Sequence, residues 1–120
     1  MDICRIVVGG CRDYNNYFVF KEFMAECLSK INSENIIILS GHCSGVDQMA
    51  EKYAQEHKLP LEIYPAEWGK YGRAAGPKRN QIMVENAEIV IAFWDRKSKG
   101  TKNLISCAEK SGKKKYIKYI

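Results

Sequence analysis

Residues 35–54 read NIIILSGHCSGVDQMAEKYA, and their order decides the fold. Ile36-Ile37-Ile38-Leu39 is a continuous apolar run, the pattern of a parallel strand covered on both faces. Ser40 to Asp47 is a glycine-bracketed break. Val46, Met49, Ala50, Tyr53 and Ala54 then fall on one stripe of a helix. Strand, short loop and amphipathic helix make one β-α unit.

The same unit recurs outward in both directions. Apolar runs predict strands over 3–8, 35–39, 61–64, 88–93 and 115–119. The third is the weakest, whereas Ile89-Val90-Ile91-Ala92-Phe93 is as continuous as the second. Between them, Phe20, Phe23, Met24, Cys27, Leu28 and Ile31 keep helical spacing. Ile82, Met83 and Ala87 predict a third helix with Pro77 in its first turn. Leu104, Ile105 and Ala108 predict a fourth that ends at Gly112. Strict alternation with short links implies a single α/β Rossmann-like domain over 1–120, three layers deep. Its five-stranded, mainly parallel sheet is expected in the order 3-2-1-4-5 with helices on both faces. Ligands of such sheets bind beyond the carboxyl ends of the strands where strand order reverses, here between the first and fourth strands.

Composition is that of an ordinary globular chain: 120 residues, 46% hydrophobic and 28% charged, which excludes a disordered or collagen-like reading. Nineteen Lys plus Arg against fourteen Asp plus Glu leave +5, compatible with anionic ligands and insufficient to imply nucleic acid. Five cysteines without a CxxC pair argue against a disulfide framework or a zinc knuckle, so a reduced, cytoplasmic protein without a metal site is expected. No apolar stretch approaches the roughly 18 residues that span a bilayer.

Four loops carry candidate chemistry. Gly9-Gly10-Cys11-Arg12-Asp13 ends the first strand, where glycines permit close backbone approach and Arg12 offers a fork for phosphate; a tight turn with a surface ion pair explains it equally well. In the second, Ser40, Gly41, Ser44 and Gly45 precede a helix and suit an anion, although Ser44 and Asp47 also have capping-box spacing. A carboxylate at Gly45 is therefore expected to abolish ligand binding while the fold survives. Neighbouring His42 and Cys43 cannot both aim at one atom, so no catalytic dyad is assigned. The long break over 65–76 holds Glu67 and Trp68, and loops of that length are usually functional. Arg79 and Asn80 follow in the first turn of the third helix, where an Arg opposes the helix dipole and so suggests phosphate or ribose contact. After the fourth strand, Gly100-Thr101 precede a helix with Thr101 as its N-cap. Trp94 and Trp68 are candidates to stack on a base.

Gly9-Gly-Cys-Arg-Asp13, SGHCSGVDQMA over 40–50, PAEWGKYGRAAGPKRNQIM over 65–83 and AFWDRKSKGT over 92–101 resemble the SLOG superfamily, named for Smf/DprA and the LOG phosphoribohydrolases. The resemblance is nearest to its compact YspA/cpYpsA-related branch. It implies a Rossmann-like domain that binds a nucleotide or nucleotide-derived ligand without a further cofactor, in a homodimer or higher homo-oligomer. LOG enzymes release a base with an Arg and the Glu of PGGxGTxxE. Arg79 matches the Arg and Gly100-Thr101 match the GT, but Leu104 stands where that Glu belongs, and Ser98 and Lys99 replace glycines. An N-glycosidase or phosphohydrolase would then need Glu67 or Asp47 as its carboxylate. DprA shares a loop like SGHCSGVD and binds single-stranded DNA, which keeps nucleic acid as a further alternative.

Overall fold

The computed structural model describes residues 3–120. Its elements run β1 (Ile3–Gly10), α1 (Tyr17–Ser29), β2 (Asn35–Ser40), α2 (Val46–Glu56), β3 (Leu61–Ile63), α3 (Trp68–Tyr71), a 3-10 turn (Gly72–Ala74), α4 (Ala75–Glu85), β4 (Ile89–Trp94), α5 (Lys99–Lys110) and β5 (Lys114–Tyr119). All five strands are parallel in the order β3-β2-β1-β4-β5, as the alternation of the sequence predicts.

Side chains alternate across this sheet, and two cores result. Ile6 and Val8 of β1, Ile38 of β2 and Ile91 and Phe93 of β4 pack with Phe20 and Met24 of α1 and Val46 and Ala50 of α2. The residues between them, Val7, Leu39 and Val90, pack on the opposite face with Met83 and Val84 of α4 and Leu104 and Ala108 of α5. Each central strand is therefore apolar on both sides, which is why β2 and β4 read as unbroken apolar runs. Among the described residues no helix is long and apolar enough to cross a membrane, and all five cysteines are free.

Three local expectations change. Ile82, assigned to the buried stripe, is 49% exposed, because Met83 and Val84 take the sheet-facing side of α4 and Ala87 is buried just beyond its end. The 65–76 break is not an open loop, since α3 and the 3-10 turn occupy most of it. Finally, α5 starts at Lys99 with Ser98 as N-cap, so Thr101 lies within the first turn. Asp95 causes the shift: its Oδ1 accepts the N–H groups of Lys97 and Ser98 at 2.8 and 2.7 Å and turns the chain into the helix early.

The register places Gly10 of β1 beside Phe93 of β4. β1 leads away to β2 on one side and β4 to β5 on the other, so their loops diverge and leave a crevice at the carboxyl edge.

Candidate ligand-binding site

A cavity of about 710 Å³ opens at this crevice. Gly9, Gly10 and Arg12 form one wall, Asp47 and Cys43 the second, Arg79 and Asn80 of α4 the third, and Lys97 to Thr101 with Leu104 the fourth. Trp68 and Arg73 stand at the α3 side. Five basic side chains (Arg12, Arg73, Arg79, Lys97, Lys99) face three acidic ones (Asp13, Asp47, Asp95), so the lining is net cationic. The N–H groups of residues 99–101 have no intrahelical acceptor and present the positive end of the α5 dipole to the cavity.

Glycine at position 10 follows from strand spacing, because a Cβ there would run into the Phe93 carbonyl. At Gly9 a Cβ would approach Leu104 Cδ2 to 3.0 Å and begin to fill the cavity floor. Trp68 is half exposed, with the Arg12 guanidinium 5.8 Å from its ring centre. Its ring edge lies against Gly76, where a Cβ would sit 3.3 Å away.

The β2–α2 loop does something other than the cradle expected of it. Ser40 is fully buried; its hydroxyl bonds the Glu51 carboxylate at 2.8 Å and accepts the His42 N–H at 3.1 Å. Ser44 Oγ donates to the Arg12 carbonyl at 3.1 Å, and the Val46 N–H donates to the Cys11 carbonyl at 3.2 Å. Gly45 lies at φ +73°, and a Cβ there would run into the carbonyls of Cys11 and Arg12. The Gly41 carbonyl accepts from Arg79. Ser40, Gly41, Ser44 and Gly45 are thus outside the cavity lining, and the loop is a clasp that locks α2 to the end of β1. A carboxylate at Gly45 would break that clasp, so the expectation of a folded Gly45→Asp protein is corrected.

Arg79 is the fifth residue of α4 rather than part of its first turn, since the helix begins at Ala75. Its guanidinium donates to the carbonyls of Gly41 at 2.6 Å and Tyr64 at 3.4 Å, and its Nε to Asn80 Oδ1 at 2.9 Å. Asn80 Nδ2 in turn donates to Asn103 Oδ1 at 2.9 Å and the Gly100 carbonyl at 3.3 Å. This chain of bonds ties the ends of β2 and β3 to α4 and then to the first turns of α5. A charged group opposed to no dipole and paired with two backbone carbonyls explains Arg79 structurally, while both Arg79 and Asn80 still line the cavity.

Asp47 is 6% exposed in the cavity wall. Burial lifts its carboxyl to about 6, against the opposing pull of the Cys43 N–H, Arg79 and the Gly10 N–H, with Glu51 adding to the rise. The Cys43 N–H reaches its Oδ2 at 3.2 Å. The folded protein therefore holds a proton between about pH 4 and 6 that the unfolded chain has lost, and this contribution to stability disappears as pH rises through about 6. In urea melts, Asp47→Asn is expected to gain about 3 kcal/mol relative to the parent between pH 4 and 7, from some two pKa units. A stability difference that is flat across that range would contradict this burial account.

Three further expectations are resolved by position. Trp94 donates Nε1–H to the Ser98 carbonyl at 3.0 Å and packs 6.2 Å from Tyr119, away from the cavity, so only Trp68 remains to stack on a ligand there. Glu67 is exposed and outside the lining. His42 turns to Glu51, with Nδ1 2.9 Å from Oε2, while Cys43 faces the cavity with its sulfur 3.8 Å from the Arg79 guanidinium. Among the described residues no cluster of three or more His, Cys, Asp or Glu is placed to hold a metal. Sequence reasoning missed Arg73, Asn103 and the turn-forming role of Asp95.

Comparison with known proteins gives two findings. A family model described as the YspA, cpYpsA-related SLOG family matches residues 4–71. Gene 61 protein of Mycobacterium phage D29 is 25% identical over 114 residues, covering 90% of each chain. No solved structure matches. The matched segment includes the β1 glycines, Asp47 and Trp68, while Arg79, Asn80 and the α5 turn lie beyond it.

Proposed function

The chain belongs to the YspA, cpYpsA-related SLOG family, and from that premise we propose that it binds a phosphate-bearing nucleotide or nucleotide derivative in the β1–β4 cavity. The observation that carries this reading is the meeting of the first turn of α5 with the Gly9-Gly10 backbone in one net-cationic cavity. Backbone N–H groups at a helix N-terminus suit phosphate oxygens. Arg12 offers a planar fork to the same anion, and Trp68 offers a ring to the base. Calorimetry tests the reading: nucleoside monophosphates should bind and the corresponding nucleosides should not. The salt dependence should be shallow, whereas a single-stranded oligonucleotide binder would release several counterions and show a steep slope.

A second reading, turnover, rests on Asp47, a buried carboxyl in the cavity wall near the pKa that suits acid-base work. Its oxygens are already engaged by backbone N–H groups, and Leu104 supplies no charge to stabilise an oxocarbenium-like state. We expect nucleoside monophosphates to remain intact with the protein for hours, as followed by chromatography of the free base. Release that Asp47→Asn abolishes would instead establish the enzyme.

A further inference from the structure

A second hollow, of about 460 Å³, lies on the other side of the β1–α1 loop from the main cavity. Arg12 and Asp13 line both, so the two spaces are separated by the width of one turn of chain. The hollow's surfaces differ in kind from the anion-suited cavity. Gln48 and Lys52 project from the outer side of α2, and Tyr14 and Tyr17 form the opposite wall.

These rings are fixed from below. Tyr14 stacks on Phe93 and Tyr17 on Phe20, with centroids 6.4 and 5.8 Å apart, and the Tyr17 hydroxyl bonds the Glu56 carboxylate. Lys52 Nζ stands 4.3 Å from the Tyr17 ring centre. The lysine thus covers the Tyr17 ring, and it is Tyr14, with the Gln48 amide and the Lys52 cation lining the same hollow, that suits a polar heteroaromatic ring, which needs a flat apolar contact and hydrogen-bonding groups at its edge.

Resting on the reading of the main cavity above, we propose that the ligand is two-headed: a dinucleotide whose pyrophosphate crosses Arg12 and whose second ring occupies the hollow between α2 and Tyr14. The phosphate joined to the first nucleoside sits at the α5 turn, and the arginine shared by both spaces meets the second phosphate of the same pyrophosphate.

Titration calorimetry with common nucleoside monophosphates and their matched 5′,5′-linked dinucleoside diphosphates tests this, on the parent, Gln48→Ala and Lys52→Ala proteins. Both side chains are exposed, and thermal melts by circular dichroism verify that each variant is folded. The parent should bind a dinucleotide at least about tenfold more tightly than its monophosphate, the size of one added charge-assisted contact. Lys52→Ala and Gln48→Ala should shrink that advantage and leave monophosphate affinity unchanged. Equal affinity for both ligands, or variants that weaken both alike, would overturn the two-headed ligand while the nucleotide reading stands. Binding of neither class by the parent would overturn both.

Discussion

Gly45→Ala is expected to destabilise the protein by about 3 kcal/mol, a large share of the roughly 5 to 15 kcal/mol that holds a domain together. Two independent penalties act at this position. Its backbone sits at φ +73° and ψ −123°, a region open to glycine and strained for any other residue. A Cβ would also be driven into the carbonyl oxygens of Cys11 and Arg12, and these are backbone atoms that cannot rotate aside. The same contact carries the Val46 N–H to Cys11 bond and the Ser44 bond to Arg12, so relief by movement would undo both. Urea melts check the point, and an unchanged midpoint in Gly45→Ala would show that the clasp is not under tension.

The second large effect is on binding. Gly100→Asp is expected to lower nucleotide affinity about a hundredfold while leaving the fold as stable as the parent or slightly more so. Nothing lies within 4 Å of a Cβ at Gly100, so the side chain meets open space. As the second residue of α5, an aspartate there is favoured by the helix dipole, typically by some tenths of a kcal/mol to about 1. The same negative charge stands at the turn proposed to hold phosphate, and a like charge so placed costs several kcal/mol in binding. Opposite signs for stability and affinity separate a ligand site from a structural one. Calorimetry beside a thermal melt reads both, and parent-like affinity in the folded variant would remove α5 from the site.

The contrast between these two glycines marks how far the sequence was legible. Both stand between an apolar run and a helical stripe in the sequence, and local pattern treats them alike. What distinguishes them is distant chain: the Cys11 and Arg12 carbonyls, more than thirty residues away, close over Gly45 and leave Gly100 open. The strands and their order were legible because burial on both faces leaves unbroken apolar runs in β2 and β4. β3 was faint because only three residues pair.

Side chains whose partners lie across the fold were not legible. Arg79 read as a free cation against a helix dipole, and only the folded chain shows it reaching the Gly41 and Tyr64 carbonyls. Trp94 read as a ring open to a base, and in the fold it packs 6.2 Å from Tyr119 of β5. Asn103 gave no signal, being one polar residue on a helix, although it receives the Asn80 amide and completes the tie between α4 and α5. The signal that did exist for the early start of α5 was the Asp95 to Ser98 spacing, in which a carboxylate captures N–H groups two and three residues on.

The central claim is that nucleotide phosphate binds where β1 and α5 meet, and a nitrogen-proton correlation NMR titration of the 13.7 kDa chain addresses it most directly. Backbone amides report the contact itself, because the proposed phosphate ligands are the N–H groups of the first turn of α5, and the Gly9-Gly10 backbone lies in the same cavity wall. Adding a nucleotide should shift the amides of Gly9, Gly10, Lys99, Gly100 and Thr101 together and saturably, with those of β5 and the outer face of α1 unmoved. Saturable shifts confined to β5 or to α1, or no shifts at these five amides with any nucleotide, would contradict the account.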